Sequence, residues 1–389
     1  MYVERGLKDR FDRLRGAYGA IAVVGARQSG KTTFLREQAK KLKHSYVTFD
    51  DPDAKRAFDR DVKRFELQYL KGNDVSVLDE VQYCRSPGQK LKYLVDAGHK
   101  LWVTSSSQSL LEKGVLSFLV GRITILRMYP FSLDEFMKAK SQKILDPEIL
   151  ERLTWEHMAY GGYPKVVTEE DVEVKKTLLR DIYDTTTLKD IARTFSIEDV
   201  NPLNDIAKYV AANVGGMVSY DNISKLAGIS FRTVKKYFDA LERSYIIARA
   251  PPFSTNKGKE IYKQPKAYFV DTGIMHSVTN AFPTSVGGKL FENYVFSEIL
   301  KAGFQPKFWR SKAGAEVDFI VEKGNDVIPV EVKLTASRVA VERSMKAFIN
   351  SYEPEKAFVV SYRGVGGKAK VGGCEVIFTD IAGLLDGIK

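Results

Sequence analysis

The chain has 389 residues, enough for about two to four domains, and 44% of them are hydrophobic and 28% charged, as in an ordinary globular protein. No apolar run is long enough to cross a bilayer, and the charged N-terminus lacks the apolar stretch of a secretory signal, so we expect no membrane contact and a cytoplasmic location. A formal net charge of +11 favours an anionic partner such as nucleic acid, and the two cysteines, Cys84 and Cys374, fit no metal-ligand spacing.

The first predicted element is a phosphate-binding loop between a strand and a helix. Residues 21–24 form an apolar run typical of a buried parallel strand, and the residues after it fit G-x-x-x-x-G-K-[ST] at every fixed position. Glycines let the backbone of such a loop wrap phosphate groups and aim N–H donors at them. We therefore predict an ATP site formed by Gly25, Ala26, Arg27, Gln28, Ser29, Gly30, Lys31, Thr32 and Thr33.

Two neighbouring acids predict the Mg²⁺ site and the base of an ATP hydrolase. Lys31 should reach the β- and γ-phosphates, and the Thr32 hydroxyl should bind Mg²⁺. Asp79 ends the apolar run 75–79 and would hold the Mg²⁺ shell. Glu80 follows directly, where a hydrolase needs a base to polarise the attacking water. The less favoured alternative is that Glu80 is only a surface acid at a strand end.

The next strand, residues 100–104, ends in hydroxyl side chains. In P-loop ATPases with a catalytic glutamate, such a strand lies between the P-loop strand and the acidic strand, and its tip can sense the γ-phosphate. Thr104 and Ser106 are the candidates, and a strand-end Ser/Thr turn is the alternative. Arg122, ahead of a further apolar strand, could be an arginine finger onto a neighbouring subunit's nucleotide or could form an intramolecular ion pair. A homo-oligomer therefore remains open.

Eight segments occur in a fixed order along the chain: VGARQSGKTTFL, VLDEVQ, VTSSS, LVGR, YPFSLDEF, GGYP (161–164), TTTLKDIAR (185–193) and KAYFVDTGI (266–274). Together they resemble a large prokaryotic family of AAA-type ATPases whose members typically carry a C-terminal domain of unknown function. The resemblance implies a P-loop core with a parallel sheet over residues 1–145 and a helical lid over residues 146–200. Ser105 stands where the family usually has glycine, so the hydroxyl that faces the nucleotide stays open.

The GGYP segment interrupts a helical pattern that runs from about residue 147 to 195. In the families that this chain resembles, a Gly-x-Pro in the small helical lid packs against the adenine. Pro164 and Tyr163 could do so here, and the alternative is a helix-breaking turn with no contact to the nucleotide.

Residues 201–256 are predicted to contain a winged helix. Ile223, Leu226 and Ala227 fit one face of a first helix, and Ser230 is the expected N-cap of a second. The second helix should bury Val234, Tyr237, Phe238 and Leu241 and expose Arg232, Thr233, Lys235 and Lys236. A helix presented in this way could lie in the major groove of DNA.

The segment 249–266 is basic and would form the wing. Its cations are Arg249, Lys257, Lys259, Lys263 and Lys266, against one acid, Glu260. Such cations suit contacts to phosphates, which position a protein on DNA without reading its sequence. The alternative for the whole module is a protein interaction surface with a solvated face.

The last predicted domain, residues 257–389, has three carboxylates and a lysine on a helix and two strands. Glu292 lies on a predicted helix and Asp318 on a strand, while Glu331 and Lys333 are two residues apart on the next strand and so point to one face. This order resembles PD-(D/E)xK nucleases. The resemblance implies Mg²⁺ bound by Asp318, Glu331 and Glu292, with Lys333 orienting a water molecule or stabilising developing charge. A simple salt bridge in a DNA-binding or inactive domain is the alternative.

The sequence thus predicts an α/β protein with a P-loop ATPase core, a helical lid, a winged helix and a C-terminal PD-(D/E)xK-like domain. We expect an ATP- and Mg²⁺-dependent ATPase that acts on DNA, and whether the last domain cleaves DNA stays open. The alternative is an ATP-gated switch or scaffold that binds protein partners and carries an inactive nuclease-like domain.

Overall fold

A computed structural model describes residues 2–106, 117–141, 146–254 and 264–389, apart from the side chains of 187–189. Its N-terminal part is built on a parallel sheet of strands β1 (Ala20–Val24), β2 (His44–Thr48), β3 (Val75–Asp79), β4 (Leu101–Ser105) and β5 (Ile123–Arg127). The strand order is β2-β3-β4-β1-β5. The hydroxyl-tipped strand β4 therefore lies between the P-loop strand β1 and the acidic strand β3, as predicted.

Helices cover this sheet because its central strands are mostly apolar and buried along their whole length. Every position of β1, β3 and β4 is buried, which is typical of parallel strands packed on both faces. The surrounding helices are α1 (Lys8–Leu14), α2 (Lys31–Ala39), α3 (Pro52–Arg60), α4 (Val62–Phe65), α5 (Pro87–Asp96) and α6 (Leu133–Ala139). Short π- and 3₁₀-helical turns occupy Glu66–Leu70 and Val81–Tyr83.

The predicted helical lid is helical. It comprises α7 (Pro147–Tyr160), α8 (Pro164–Val167), α9 (Val172–Asp184) and α10 (Ala192–Phe195). A π-helical segment, Thr185–Ile191, joins α9 to α10. In the described ranges, no helix combines the length and the apolarity needed to span a bilayer.

Three helices and a hairpin follow the lid. They are α11 (Asn201–Ala212), α12 (Tyr220–Ala227), α13 (Phe231–Arg243) and the antiparallel strands β6 (Ile247–Ala250) and β7 (Lys266–Phe269). Ser230 caps α13 by accepting from the Thr233 N–H, as predicted. The expected inward residues of α13 are buried and its expected outward residues are exposed or half-exposed.

Two predictions for this module are wrong. Leu226 is 73% exposed, because α12 has only two turns and buries only Ile223. Two cations assigned to the wing pair with acids of the same chain: the half-buried Arg249 pairs with Asp239 at 2.5 Å and with Glu242, and the buried Lys266 pairs with Glu316 at 2.6 Å. The remaining wing lysines, Lys257, Lys259 and Lys263, lie outside the described residues. The boundary predicted at 256/257 falls within the β6–β7 hairpin.

The C-terminal part has a mixed sheet with strand order β12-β13-β11-β10-β9-β8. Its strands are β8 (Lys307–Arg310), β9 (Glu316–Lys323), β10 (Asp326–Ala336), β11 (Lys356–Gly364), β12 (Gly367–Val371) and β13 (Cys374–Thr379). Strands β8, β9 and β10 form an antiparallel meander, and β11 pairs parallel to β10. The accompanying helices are α14 (Thr272–Thr279), α15 (Gly288–Lys301), α16 (Arg343–Tyr352) and α17 (Ile381–Ile388).

The backbone of Phe131 lies where the three parts of the chain meet. Its carbonyl oxygen accepts a hydrogen bond from the Lys301 ammonium at 3.1 Å and lies 3.0 Å from Nε2 of His157. Its N–H donates to the carbonyl oxygen of Gly162 at 2.7 Å. The segment after β5 is thus joined to the lid through His157 and Gly162 and to α15 through Lys301.

A buried ion pair completes this junction. Lys301 Nζ lies 2.9 Å from Glu298 Oε1, and both side chains are almost fully buried. Glu298 Oε2 accepts from the N–H of Leu133 at the start of α6. Burial raises the pKa of Glu298, while Lys301 and this backbone bond favour its ionised form. A buried charge is tolerated only with such partners.

Close contacts with one backbone oxygen and one side-chain oxygen explain the glycines of the GGYP segment. A Cβ on Gly162 would lie 2.2 Å from the carbonyl oxygen of Phe131, and one on Gly161 would lie 2.0 Å from Oδ1 of Asp271. Asp271 caps α14 and accepts from the Gly162 N–H at 2.8 Å. The YPF, GGYP and VDTG segments are therefore parts of one contact, although they are far apart in the sequence.

Candidate functional site

The P-loop leaves β1 through a position that only glycine can occupy. A Cβ on Gly25 would lie 1.9 Å from the carbonyl oxygen of Met128, so a side chain would push apart the ends of β1 and the segment after β5. The loop then turns through Gln28 (φ 60°) and Gly30 (φ 97°), both in the left-handed region. This turn ends at Lys31, the first residue of α2, so the loop directly precedes the helix N-terminus, where phosphates bind favourably.

Lys31 is buried within the loop. Its ammonium donates to the carbonyl oxygens of Gly25 at 3.0 Å and Ala26 at 2.9 Å. Burial lowers the pKa of Lys31, and the nearby Glu80 and Asp79 oppose that shift. The cation is thus held at the start of the loop by weak acceptors that a phosphate could replace.

The Asp79 carboxylate connects the loop to two other strands. Its Oδ1 accepts from Thr32 Oγ1 at 2.8 Å and from Thr104 Oγ1 at 2.5 Å, and its Oδ2 accepts from Tyr46 Oη at 2.8 Å. The Thr32 hydroxyl and the Asp79 carboxylate are adjacent oxygen donors, which fits Mg²⁺. Sequence reasoning missed Tyr46, because nothing in its local pattern links β2 to the acidic strand.

Glu80 has an unusual backbone conformation, with φ of 57° in the left-handed region. Its N–H donates to Thr104 Oγ1 at 2.9 Å, and its carboxylate accepts from the Gln82 side-chain amide. The same amide contacts Ser106 Oγ at 3.1 Å. Thr104 therefore holds the backbone of the acid pair, while Ser106 contacts the Gln82 amide that also binds the Glu80 carboxylate. Thr104 and Ser106 both stay candidates for the hydroxyl that senses the γ-phosphate.

The lid contacts the loop, although not through both residues that the sequence suggested. Tyr163 is 1% exposed and packs in the hydrophobic core, so the prediction that it packs against the adenine is wrong. Pro164 is next to the loop: its Cγ lies 3.8 Å from the point where a Cβ on Gly30 would project. A contact from Pro164 to the nucleotide stays a prediction.

Arg122 has an intramolecular partner. Its Nε lies 2.6 Å from Oδ1 of Asp96, near the end of α5, and both side chains are exposed. This is the alternative that the sequence left open. A finger role for Arg122 towards a neighbouring subunit stays a prediction.

The C-terminal sheet brings together Asp318, Glu331 and Lys333. The β9–β10 register pairs Phe319 with Val330, so Asp318 and Glu331 follow at the end of that ladder. Asp318 Oδ2 accepts from the Val332 N–H at 2.8 Å, and Lys333 Nζ lies 2.9 Å from Glu331 Oε1. Lys333 also pairs with Glu342 at 2.9 Å.

The carboxylates of this second site are poorly compensated. Glu331 is 7% exposed, and its Oε2 has no hydrogen-bond partner. Burial raises the pKa of Asp318, and the charge of Glu292 adds to the shift. Burial also raises the pKa of Glu331, and the charge of Asp318 adds to it. A buried carboxylate, Glu331, and a partly buried one, Asp318, that repel each other are an arrangement that a divalent cation would stabilise.

Glu292 is engaged elsewhere. Its carboxylate accepts from Tyr268 Oη at 2.8 Å and pairs with Lys289 at 2.8 Å, while Lys266 lies 3.7 Å away. Within the part of the chain that the structure describes, no group of three or more His, Cys, Asp or Glu side chains is arranged to hold a metal ion. A metal at this site would therefore rest on Asp318 and Glu331, and a metal contact from Glu292 stays a prediction.

A groove of about 600 Å³ opens beside Glu331 and Lys333. Arg338, Arg343 and Glu342 line it together with small and apolar side chains. The groove is thus lined by two carboxylates and three cations.

Comparison with known proteins matches three consecutive parts of the chain to three family models. Residues 17–137 match a family model described as an AAA domain, residues 151–285 match a domain of unknown function (DUF8612), and residues 287–370 match another (DUF4143). Residues 17–137 are therefore similar to an AAA domain, in agreement with the phosphate-binding loop found there. The second match includes both strands of the β6–β7 hairpin, in agreement with the fold.

Relatives align over most of the chain. An uncharacterised protein of Haemophilus influenzae is 26% identical and aligns over 80% of this chain and 81% of its own length. An uncharacterised protein of Methanocaldococcus jannaschii is 25% identical, over 84% and 77%.

The solved structures that match share less sequence identity with this chain. A Walker-type ATPase of Pyrococcus abyssi is 13% identical with a TM-score of 0.46, covering 72% of this chain and 96% of that chain. A signal transduction ATPase with numerous domains from Pyrococcus horikoshii is 14% identical with a TM-score of 0.32, covering 78% and 45%.

Asp318→Asn should stabilise the metal-free protein at high pH. The raised pKa means that the folded state holds a proton more tightly than the unfolded state, so stability falls as the pH rises above about 4, the usual range for a carboxyl. Asparagine removes that charge and can still accept from Val332. At pH 8 we expect a gain on the order of 1 kcal/mol in urea unfolding with EDTA present. Asp326→Asn, at the exposed start of β10, is the control, and equal pH profiles for wild type and Asp318→Asn would contradict the assignment.

Proposed function

We propose that this protein hydrolyses ATP and acts on DNA through its C-terminal half. The observation that carries the proposal is the Asp79 carboxylate, which accepts hydrogen bonds from Thr32 at the start of α2 and Thr104 on β4, with Glu80 next in the chain. This arrangement supports a Mg²⁺ ligand and a base beside the phosphate-binding loop. The AAA-domain match over residues 17–137 supports the same reaction.

In the proposed reaction, the loop N–H groups and Lys31 hold the phosphates, and Thr32 and Asp79 hold Mg²⁺. The ion would supply positive charge to the β- and γ-phosphate oxygens. Glu80 takes a proton from the attacking water while the water oxygen bonds to the γ-phosphorus and the bond to the bridging oxygen breaks, giving ADP and inorganic phosphate. The hydrogen bond from Gln82 holds the Glu80 carboxylate in one orientation.

Glu80→Gln should stop turnover and spare binding. Loss of the base should lower kcat about 10²- to 10⁴-fold, with the Kd for ATP unchanged, because the loop and Lys31 are intact. Lys31→Ala should lose binding as well. Phosphate release and the fluorescence of a labelled ATP measure the two effects, and Glu37→Gln, on the same helix as the loop lysine, is the control. Normal hydrolysis by Glu80→Gln would refute the assignment of the base.

The proposed DNA contact rests on the module from α11 to β7. Three helices followed by an antiparallel hairpin, with Met217 bridged to Lys266, have the connectivity of a winged helix. Its third helix exposes Arg232, Lys235 and Lys236, which supports placement against a phosphate backbone. The formal net charge of +11 is in keeping with an anionic partner.

The double variant Lys235→Gln/Lys236→Gln should weaken DNA binding and reduce its salt dependence. Each lost phosphate contact lowers the slope of log K against log salt by about 0.9, so the loss of two lysines should lower it by about 2. Fluorescence anisotropy over a salt series measures this slope. Lys40→Gln/Lys41→Gln, an adjacent exposed pair at the end of α2, is the matched control. An unchanged slope would contradict contact through α13.

The C-terminal domain supports phosphodiester cleavage as the proposed DNA chemistry. Helix α15, the β8–β9–β10 meander, helix α16 and the parallel strand β11 follow the order of a PD-(D/E)xK core. Asp318 and Glu331 are the residues that would hold Mg²⁺, which supplies a Lewis acid for the phosphate. Lys333 would hold the attacking water or stabilise charge on the phosphate, and Arg338 and Arg343 would hold the backbone in the groove.

Cleavage of linear and branched DNA should require Mg²⁺ and fail in Glu331→Gln. Glutamine removes the charge that a metal needs and leaves the shape of the side chain. A gel assay over time measures the product, with Glu322→Gln, at the other end of the β9–β10 ladder, as control. Cleavage that persists in Glu331→Gln and Asp318→Ala would come from another source.

An ATP-gated switch that binds protein is the second candidate. Exposed apolar side chains favour it: Leu226 is 73% exposed and Phe231 42% exposed, both on the module proposed to bind DNA. Such side chains on a surface often mark protein contacts. ATP hydrolysis without measurable DNA affinity at low salt would support this candidate and refute the proposed action on DNA.

A further inference from the structure

The side chain of Arg27 extends from the P-loop to the lid. Its Nη1 lies 2.6 Å from Oδ1 of Asp190, and the two side chains are 34% and 16% exposed. Asp190 belongs to the π-helical segment Thr185–Ile191. Irregular helical turns of this kind are found frequently at functional sites. The loop that should wrap the phosphates is therefore tied to the lid by one charged hydrogen bond.

This pair lies beside the residues assigned to ATP hydrolysis. Asp190, Tyr83 and Glu80 all act electrostatically on Arg27. Arg27 and Asp190 in turn act on Lys31, together with Glu80 and Asp79. The guanidinium is thus within electrostatic range of both the phosphate-binding lysine and the proposed base.

The hold of Asp190 on Arg27 is incomplete. Asp190 uses only Oδ1, and its Oδ2 is buried with no hydrogen-bond partner. A partly buried carboxylate whose second oxygen is buried without a partner is poorly stabilised. A phosphate offers a guanidinium several oxygens and bidentate geometry, so it is a better partner for Arg27 than Asp190 is.

A second contact joins the same part of the lid to the acidic motif. The Arg193 guanidinium lies over the ring of Tyr83, 5.1 Å from its centroid. Tyr83 ends the short helix that follows Glu80. The lid residues 190–193 therefore touch the P-loop through Asp190 and the acidic motif through Arg193, so a change at either motif acts on one segment of the lid.

We infer that Arg27 is a γ-phosphate-binding arginine supplied within the same chain, and that Asp190 is the residue that positions it. When ATP binds, Arg27 exchanges Asp190 for the γ-phosphate and neutralises charge on its oxygens during hydrolysis. ADP has no γ-phosphate, so the Arg27–Asp190 pair persists with ADP. The exchange releases Asp190 from the P-loop only in the ATP state, while Arg193 keeps its contact with Tyr83. This inference rests on the proposed ATP hydrolysis and gives Arg27 the role considered above for Arg122, whose guanidinium pairs with Asp96 on the surface.

The test compares Arg27→Gln, Arg27→Lys and Asp190→Asn in the full chain. Arg27→Gln should lower kcat at least 10²-fold, because an arginine directed at the γ-phosphate contributes that much or more. Its Kd for a non-hydrolysable ATP analogue should rise about tenfold, the equivalent of about 1.4 kcal/mol, while its Kd for ADP stays unchanged. Arg27→Lys, which keeps the charge, should recover part of kcat and should unfold at the same temperature as the wild type.

Asp190→Asn separates positioning from structure. Because asparagine competes less well than aspartate for Arg27, the affinity for the ATP analogue should rise relative to ADP. A merely structural role would lower both affinities equally. Arg15→Gln breaks a comparable charged contact, with Asp12 on the surface of α1, and is the matched control. Thermal unfolding checks that each variant is folded.

Two results would overturn the inference. One is an Arg27→Gln variant that distinguishes the ATP analogue from ADP as the wild type does. The other is an Asp190→Asn variant with equal losses for both nucleotides. A wild-type protein that binds ATP but does not hydrolyse it in any buffer would instead refute the proposed function, and the binding ratio of Arg27→Gln would still decide the role of Arg27.

Discussion

The hydrogen bonds to the backbone of Phe131 are the constraint on which the arrangement of the chain depends. One carbonyl oxygen faces both Lys301 and His157, and the N–H of the same residue bonds to Gly162. Removing one partner of a buried ion pair such as Lys301–Glu298 typically costs about 3–5 kcal/mol, because the other charge is left uncompensated. The P-loop domain, the lid and the helix that precedes the C-terminal sheet are therefore joined by hydrogen bonds to one residue, Phe131.

This junction gives a physical reason why separated motifs occur in one sequence. The glycine pair 161–162 must lie against Phe131 and Asp271, and a single Cβ at either position would collide with an oxygen atom. The YPF, GGYP and VDTG motifs, which are far apart in the sequence, therefore touch one another in the fold. The same contact fixes Pro164, two residues on, beside the P-loop, so the packing of the junction and the geometry of the nucleotide site are linked through four consecutive residues.

Local patterns predicted the parts of the molecule whose chemistry lies within a short stretch. The loop from Gly25 to Thr32 and the meeting of Asp318 with Glu331 follow from motif and period. The place of β4 between β1 and β3 follows from the arrangement usual in P-loop ATPases. Patterns failed where the decisive contact joins distant residues. Arg249 and Lys266 looked like free wing cations, yet each pairs with acids that no local rule connects to it. Tyr46 on Asp79 and Arg27 on Asp190 were missed for the same reason, since their partners are 33 and 163 residues away.

Strand β7 has a consequence for how the C-terminal domain can be isolated. It pairs with β6, yet its Lys266 and Tyr268 contact Glu316 and Glu292 of the following domain. A fragment that starts at residue 287, where the last family match begins, would keep those carboxylates and lose the cation and the hydroxyl that face them. Such a fragment would be more acidic at its centre than the same domain in the whole chain. A shortened protein for enzymology should therefore start before the β6–β7 hairpin. The residues that compensate Glu316 and Glu292 lie on β7, before the start of the family match.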